Sequence, residues 1–211
     1  MDDLVWYACY GSNLLEKRFK LYIQGGRSDL IDKTYTGCTD KTPPLKNKPY
    51  TLHHGLFFSQ TSSIWENKGV AFIKSKEDKS VDTLSRIYLI TRSQFEQVFL
   101  QENELDPNIN SIELDLQEIQ NEGQLILNNN WYGRIIYIGD EDGYPVLTFT
   151  SPLDDNEIQH EPPGEKYLTA IAKGIKECHD MSDNDIVNYL SNISGIKNFI
   201  DFQRLLSIIG S

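Results

Sequence analysis

Two hydrophobic periods divide this chain, and their order leaves few folds open. Up to about residue 150 the apolar residues come in short runs or alternate, as β-strands require. Beyond about residue 160 they recur at helical spacing. Strands are predicted over 4–10 (LVWYACY), 50–59 (YTLHHGLFFS), 69–74, 83–90 and 112–119, the last with Ile112, Leu114 and Leu116 alternating. Two more, 131–138 and 145–149, are joined by an Asp-Glu-Asp-Gly turn. Helices are predicted over 164–178, 183–193 (opened by Ser182 and Asp185) and 197–209, and one helix, SQFEQVFLQEN, falls among the strands behind a Ser93/Glu96 capping box. Strands that precede helices, rather than alternate with them, make the class α+β. A chain of 211 residues suits one domain over 1–180, with 181–211 as a helical extension of it. Residues 24–49, rich in Gly, Thr, Lys, Asp and Pro, read as a long loop, and ordered loops of that length are often functional.

Charge narrows the partners. Twenty basic against 31 acidic side chains leave a net charge of −11. That argues against nucleic acid or an anionic membrane surface as a partner, since both demand a basic footprint. No apolar run reaches the roughly 18 residues of a membrane span, and MDDLVWYACY has no basic n-region, so no secretory signal is expected. Cys9, Cys38 and Cys178 form no CxxC pair, which fits a reduced, cytoplasmic setting. Cys9, inside an apolar strand, reads as a buried small residue rather than a nucleophile. His53 and His54 face opposite ways on a strand, and His160 and His179 have no ligand-like spacing to them, so no metal is expected. The chain has no GxGxxG, no phosphate-binding GxxxxGK[ST] and no GxSxG.

Two features carry chemistry. The first strand runs into Tyr10-Gly11-Ser12-Asn13, small residues before a segment in which Leu14, Leu15, Arg18, Phe19 and Tyr22 fall at helical spacing. Such a turn aims backbone N–H groups at one point and suits a carboxylate, a phosphate or an oxyanion. The plainer alternative is a tight turn in which Asn13 caps the helix. On the Ser93 helix, Phe95, Val98, Phe99 and Glu102 share one face, while Glu96 and Gln97 lie on the other. A carboxylate ending an apolar stripe either turns to water as the helix frays or serves as a general acid or base.

These segments resemble the γ-glutamylcyclotransferases and their relatives. The hallmark of that family is a first strand ending in Tyr-Gly-Ser-Asn, here residues 10–13. Leu56-Phe57-Phe58-Ser59, Trp65 and Gly69-Val70-Ala71-Phe72-Ile73 resemble its next segments. RIYLITRSQFEQVFLQEN resembles the strand and helix that bear its catalytic glutamate, which puts Glu102 at that position; Pro163, Tyr167, Ile171 and Gly174 resemble a later helix. Together they span residues 5 to about 180. The resemblance implies a barrel-like mixed or antiparallel sheet with flanking helices, and a cofactor-free reaction on a small γ-glutamyl substrate. Residues 10–13 and Tyr167 would bind that substrate, and Glu102 would move its proton. The products would be 5-oxoproline and a free amine. Two departures bear on the substrate: Asn103 stands where the family has glycine, and the 24–49 loop is longer than a minimal member needs. The same pocket without catalysis would make a binding module for a small acid, and another γ-glutamyl-type amide would make a hydrolase or acyltransferase of the same fold. The C-terminal helices read either as a lid over the core or as the surface of a homodimer.

Overall fold

A computed structural model describes residues 3–153 and 157–210. Its largest element is a mixed sheet of six strands. In spatial order these are β4 (Lys46–Leu52), β7 (Thr83–Thr91), β1 (Leu4–Cys9), β10 (Tyr144–Thr150), β9 (Arg134–Glu141) and β8 (Gln124–Ile126). Neighbours are antiparallel except β1 and β10, which run parallel with Trp6 opposite Val146. The sheet is open and closes no barrel. Val5 to Cys9 are all buried, as a central strand covered on both faces must be, which is why the segment reads as a continuous apolar run.

Helices flank this sheet, as the α+β reading expects. They are α1 (Glu16–Gln24), α2 (Arg92–Glu102), α3 (Leu116–Glu122), α4 (Glu165–His179), α5 (Asp183–Leu190) and α6 (Phe202–Ile209). A hairpin of β5 (Leu56–Ser62) and β6 (Lys68–Ile73) forms a second small sheet. Thr150 ties it to the large one: its hydroxyl accepts from the Ile73 N–H (3.1 Å) and donates to the Ile73 carbonyl (2.7 Å). Ile186, Val187 and Leu190 of α5 and Leu205, Ile208 and Ile209 of α6 join the same apolar core as the sheet. No described helix is long and apolar enough to cross a membrane.

Four details differ from the sequence reading, each for a local reason. The strand expected over 50–59 is two strands in different sheets. The chain turns at His53-His54-Gly55, where His54 bonds the Lys74 carbonyl and its own carbonyl accepts from Thr83 Oγ1. Alternation over 112–119 proves not to be a strand: the Asp115 carboxylate accepts from the N–H groups of Gln117 and Glu118 and starts α3. The capping box of α2 is Thr91 with Gln94, two residues before the Ser93/Glu96 pair, and Glu96 instead accepts from the Leu114 N–H. The 24–49 segment contains a short hairpin, β2 (Gly26–Arg27) with β3 (Thr34–Tyr35), and the start of β4.

Candidate active site

The parallel pair β1–β10 sets the site. At its carboxyl end the chain leaves β1 through residues 10–13, and α2 ends beside that turn at Glu102. Together with the β5–β6 hairpin, α4 and Phe149 of β10, they enclose a cavity of about 80 Å³. A buried water needs roughly 10–15 Å³ of such space, so the cavity takes about six waters or a small polar head group. Glu102, Tyr10, Gly11, Ser12, Asn13 and Tyr167, the residues singled out from the sequence, all line it.

Inside the turn, the N–H groups of Leu14 and Leu15 bond the carbonyls of Gly11 (3.0 Å) and Ser12 (3.2 Å). The turn therefore closes on donors that follow it, which is the general state of a helix start. Asn13 does not cap α1, whose first residue has no side-chain cap. Its Nδ2 donates to Glu102 Oε1 (2.8 Å) and, at 3.3 Å, to the Tyr7 hydroxyl. Its Oδ1 is buried without a partner among the described residues. Glu102 is thus held across the cavity from the turn, half-buried, while Phe95, Val98 and Phe99 of the same face are fully buried.

Each remaining position has its own geometry. The Tyr10 hydroxyl is consumed, donating to the Phe149 carbonyl (2.6 Å). Gly11 lies under Tyr167: a Cβ there would sit 2.8 Å from the Tyr167 oxygen, so a side chain would push the tyrosine out. That oxygen accepts from the Ala71 N–H (3.2 Å), and burial pushes the phenol up to about 12. It stays protonated at neutral pH, with no acceptor for its proton among the described residues. Gly174 on α4 lets that helix pass directly over the turn, because a Cβ there would overlap the Leu14 and Leu15 backbone.

Sequence reasoning missed the strongest charge in the cavity. Arg18 is buried on α1; its Nε donates to Ser12 Oγ (2.7 Å), Nη1 to the Tyr35 hydroxyl (2.5 Å) and Nη2 to that of Tyr22 (3.3 Å). The guanidinium also lies 5.0 Å from the Trp65 ring centre. No carboxylate among the described residues is in ion-pair contact with it. The signal was present, since Arg18 shares its helical spacing with Leu14, Leu15, Phe19 and Tyr22, and an arginine on an apolar stripe is buried by that periodicity. Tyr22 links the two charges: burial first, and then the nearby Glu102 carboxylate, hold its phenol far above the ordinary tyrosine range. Among the described residues no cluster of three or more His, Cys, Asp or Glu could hold a metal ion. The three cysteines are free, and burial raises the Cys9 thiol well above its ordinary value, away from the reactive thiolate.

A carboxylate fixed by an amide, a buried cation and a set of protonated hydroxyls equip this cavity for proton transfer on a small molecule with an anionic end. Comparison with solved structures bears on the fold that frames it. One described as a gamma-glutamyl cyclotransferase aligns over 99% of each chain, with a TM-score of 0.50 and 16% identity. One of an uncharacterized protein from Homo sapiens aligns over the whole of both chains, with a TM-score of 0.52 and 16% identity. The fold shared is the γ-glutamylcyclotransferase-like one that the motifs resemble. No family model matches the chain. Among curated proteins, Histone deacetylase 5 of Arabidopsis thaliana is 35% identical over 198 residues, covering 88% of this chain and 30% of that protein. The chain therefore spans less than a third of that relative's length, and the activity in the relative's name does not pass to it.

Proposed function

We propose that this chain is a γ-glutamylcyclotransferase-type enzyme, closing the γ-glutamyl group of a small γ-glutamyl amine or amino acid to 5-oxoproline and releasing the amine. The observation that carries the reading is the Asn13–Glu102 contact inside a cavity that also holds Arg18. In this reading the α-carboxylate of the substrate meets Arg18 and the N–H groups of the turn. Its α-amine, lying beside Glu102 and the unpartnered Asn13 Oδ1, attacks the substrate's own γ-carbonyl carbon. The new C–N bond closes a five-membered ring, and Glu102 takes the proton that the attacking nitrogen sheds. The carbonyl oxygen becomes an oxyanion, for which the protonated Tyr167 hydroxyl and a turn N–H are the nearest donors. Collapse breaks the original amide bond, and Glu102 returns its proton to the departing nitrogen. Every step uses groups of the chain and the substrate alone. Ring closure is intramolecular, so holding the extended γ-glutamyl chain in its near-attack shape removes much of the barrier.

The test is release of 5-oxoproline from a panel of γ-glutamyl amines and amino acids. Glu102→Gln keeps the side-chain shape and the Asn13 contact but cannot take the proton. It should slow turnover by about 10² to 10⁴ with an unchanged melting temperature. Glu96→Gln, on the opposite face of α2, should cost some stability through the Leu114 N–H and leave turnover alone. Free glutamate as the product would instead favour a hydrolase, and wild-type turnover in Glu102→Gln would sink the mechanism.

A further inference from the structure

The β2–β3 hairpin delivers one more cation to the cavity. Lys33 precedes β3, and its backbone is held at both groups: its N–H bonds the Ile31 carbonyl (2.8 Å) and its carbonyl accepts from the Ser28 N–H (2.9 Å). The side chain is half-buried and extends over the Tyr35 ring, with Nζ 4.9 Å from the ring centre. It lines both the cavity and the open groove that leaves its mouth between the hairpin and residues 104–107. Lys33 forms no ion pair among the described residues. Of the acids near that groove, Asp32 is engaged by Arg27 (2.8 Å), and Asp106 closes its own turn through the Asn108 N–H (2.9 Å). Glu102 and Glu104 face Lys33 across the mouth, neither within ion-pair distance.

Among the described residues two cations without an ion-pair partner thus stand at different depths, Arg18 inside and Lys33 at the mouth. We infer that Lys33 is a specificity-determining residue that binds the carboxylate of the departing group, so that the site selects γ-glutamyl amino acids over γ-glutamyl amines. This rests on the cyclisation reading above. A lone ammonium lying on a tyrosine face beside a groove is partly stripped of water, which strengthens a charge-assisted bond to a carboxylate. The 24–49 segment gains a role from this: it is the arm that carries the specificity residue, braced by buried Ile31 and Tyr35.

The test compares γ-glutamyl-alanine with γ-glutamyl-ethylamide, whose leaving groups differ only by the carboxylate. The full chain is assayed as wild type, Lys33→Gln and Lys33→Glu, for 5-oxoproline release. In parallel, affinity for the two compounds is read from Trp65 and Trp131 fluorescence in a Glu102→Gln background. The wild type should prefer γ-glutamyl-alanine, and Lys33→Gln should shrink the ratio of the two kcat/KM values by about ten- to hundredfold, the range of a charge-assisted bond. Affinities should shift by the same ratio. Lys33→Glu should invert the preference and favour γ-glutamyl-1,2-diaminoethane, an outcome that a merely structural lysine would not give. Equal losses on both compounds, or no change in the ratio, overturns the inference. Discrimination in binding without any 5-oxoproline supports Lys33 and overturns the cyclisation reading instead. No binding of either compound overturns both.

Discussion

Arg18 and Arg86 are both buried and both reach the turn after β1, yet the fold treats them oppositely. Arg86, on β7, bonds Glu16 of α1 (2.7 Å), Glu177 of α4 (3.1 Å), Asn47 of β4 (2.6 Å) and the Leu14 carbonyl (3.1 Å). Its charge is matched by two carboxylates, and it fastens two helices to the sheet. Among the described residues Arg18 meets hydroxyls and ring faces, with no carboxylate at ion-pair distance. A buried charge without a counter-ion in contact destabilises its site, and the Glu102 carboxylate acts on Arg18 only from beyond ion-pair distance. In the proposed reaction the difference separates scaffold from site: Arg86 is satisfied by two carboxylates in contact, and Arg18 is open to a ligand that brings its own negative charge.

The largest expected effect breaks that assignment or makes it firm. Arg18→Gln removes the cation and keeps a polar donor group on the same face of α1, though with fewer N–H groups than the three oxygens it faces. If Arg18 anchors the substrate carboxylate, losing a desolvated charge pair of about 2–5 kcal/mol should lower kcat/KM between about thirtyfold and a few thousandfold. The melting temperature should hold or rise, because an unmatched charge has left the interior. Stabilisation of the wild type by γ-glutamyl ligands should vanish in the variant. A variant that unfolds with normal kcat/KM beforehand would make Arg18 a second structural arginine.

Arg86→Gln should show the reverse pattern, at smaller size. It strands Glu16 and Glu177, which water still reaches, so about 2 kcal/mol of stability should be lost rather than the full penalty of a sealed pair. Denaturant midpoints would read this. Turnover at a temperature well below the transition should stay within a few-fold of wild type, since Arg86 does not line the cavity. A loss in kcat/KM comparable with that of Arg18→Gln would erase the distinction.

Much of this contrast was legible in the sequence, though unevenly. Glu102 could be placed because α2 keeps one phase from Phe95 onward, and helical phase is the most reliable sequence signal. The turn could be placed because Gly-Ser-Asn cannot fill a core. Arg18 was visible as a polar residue in an apolar stripe, but its meaning depended on the hydroxyls of Tyr22 and Tyr35, one of them in a segment without periodicity. Lys33 was not legible at all, since its position follows from a hairpin of two-residue strands. The strand predicted at 112–119 failed where Asp115 found two N–H groups: local capping overrode a pattern of only three alternating residues. Asn103, where the family that the motifs resemble has glycine, caps α2 with a negative φ (−94°) and so needs no glycine. Its side chain accepts from the Tyr132 N–H (3.2 Å) and donates to the Phe99 carbonyl (2.9 Å), tying the loop that carries Tyr132 to the end of α2.

The smallest effect tests the electrostatics of the Arg86 corner directly. His179, at the end of α4, donates through Nε2 to the Ser85 carbonyl (2.9 Å), a bond that the ring can make in either protonation state. Burial is the largest cause holding it below the ordinary value of 6.5; the Ser85 carbonyl opposes, and the Arg86 charge adds a further depression. The sign of the stability effect follows from linkage. Near pH 6.5 the unfolded chain takes up a proton that the folded one refuses, so stability rises with pH there. The contribution of His179 is complete above about pH 6.5 and is lost as pH falls toward the folded value. His54, likewise depressed by burial, adds a parallel slope from the far end of β4. The two are separated by following the His179 ring resonances through a pH titration rather than the melting temperature alone. In Arg86→Gln the His179 midpoint should move up toward 6.5 while that of His54 stays in place, and in Arg18→Gln neither should move. A His179 midpoint that ignores Arg86 but responds to Arg18 would mean that the two buried cations share one field, and that the fold does not divide them into scaffold and site.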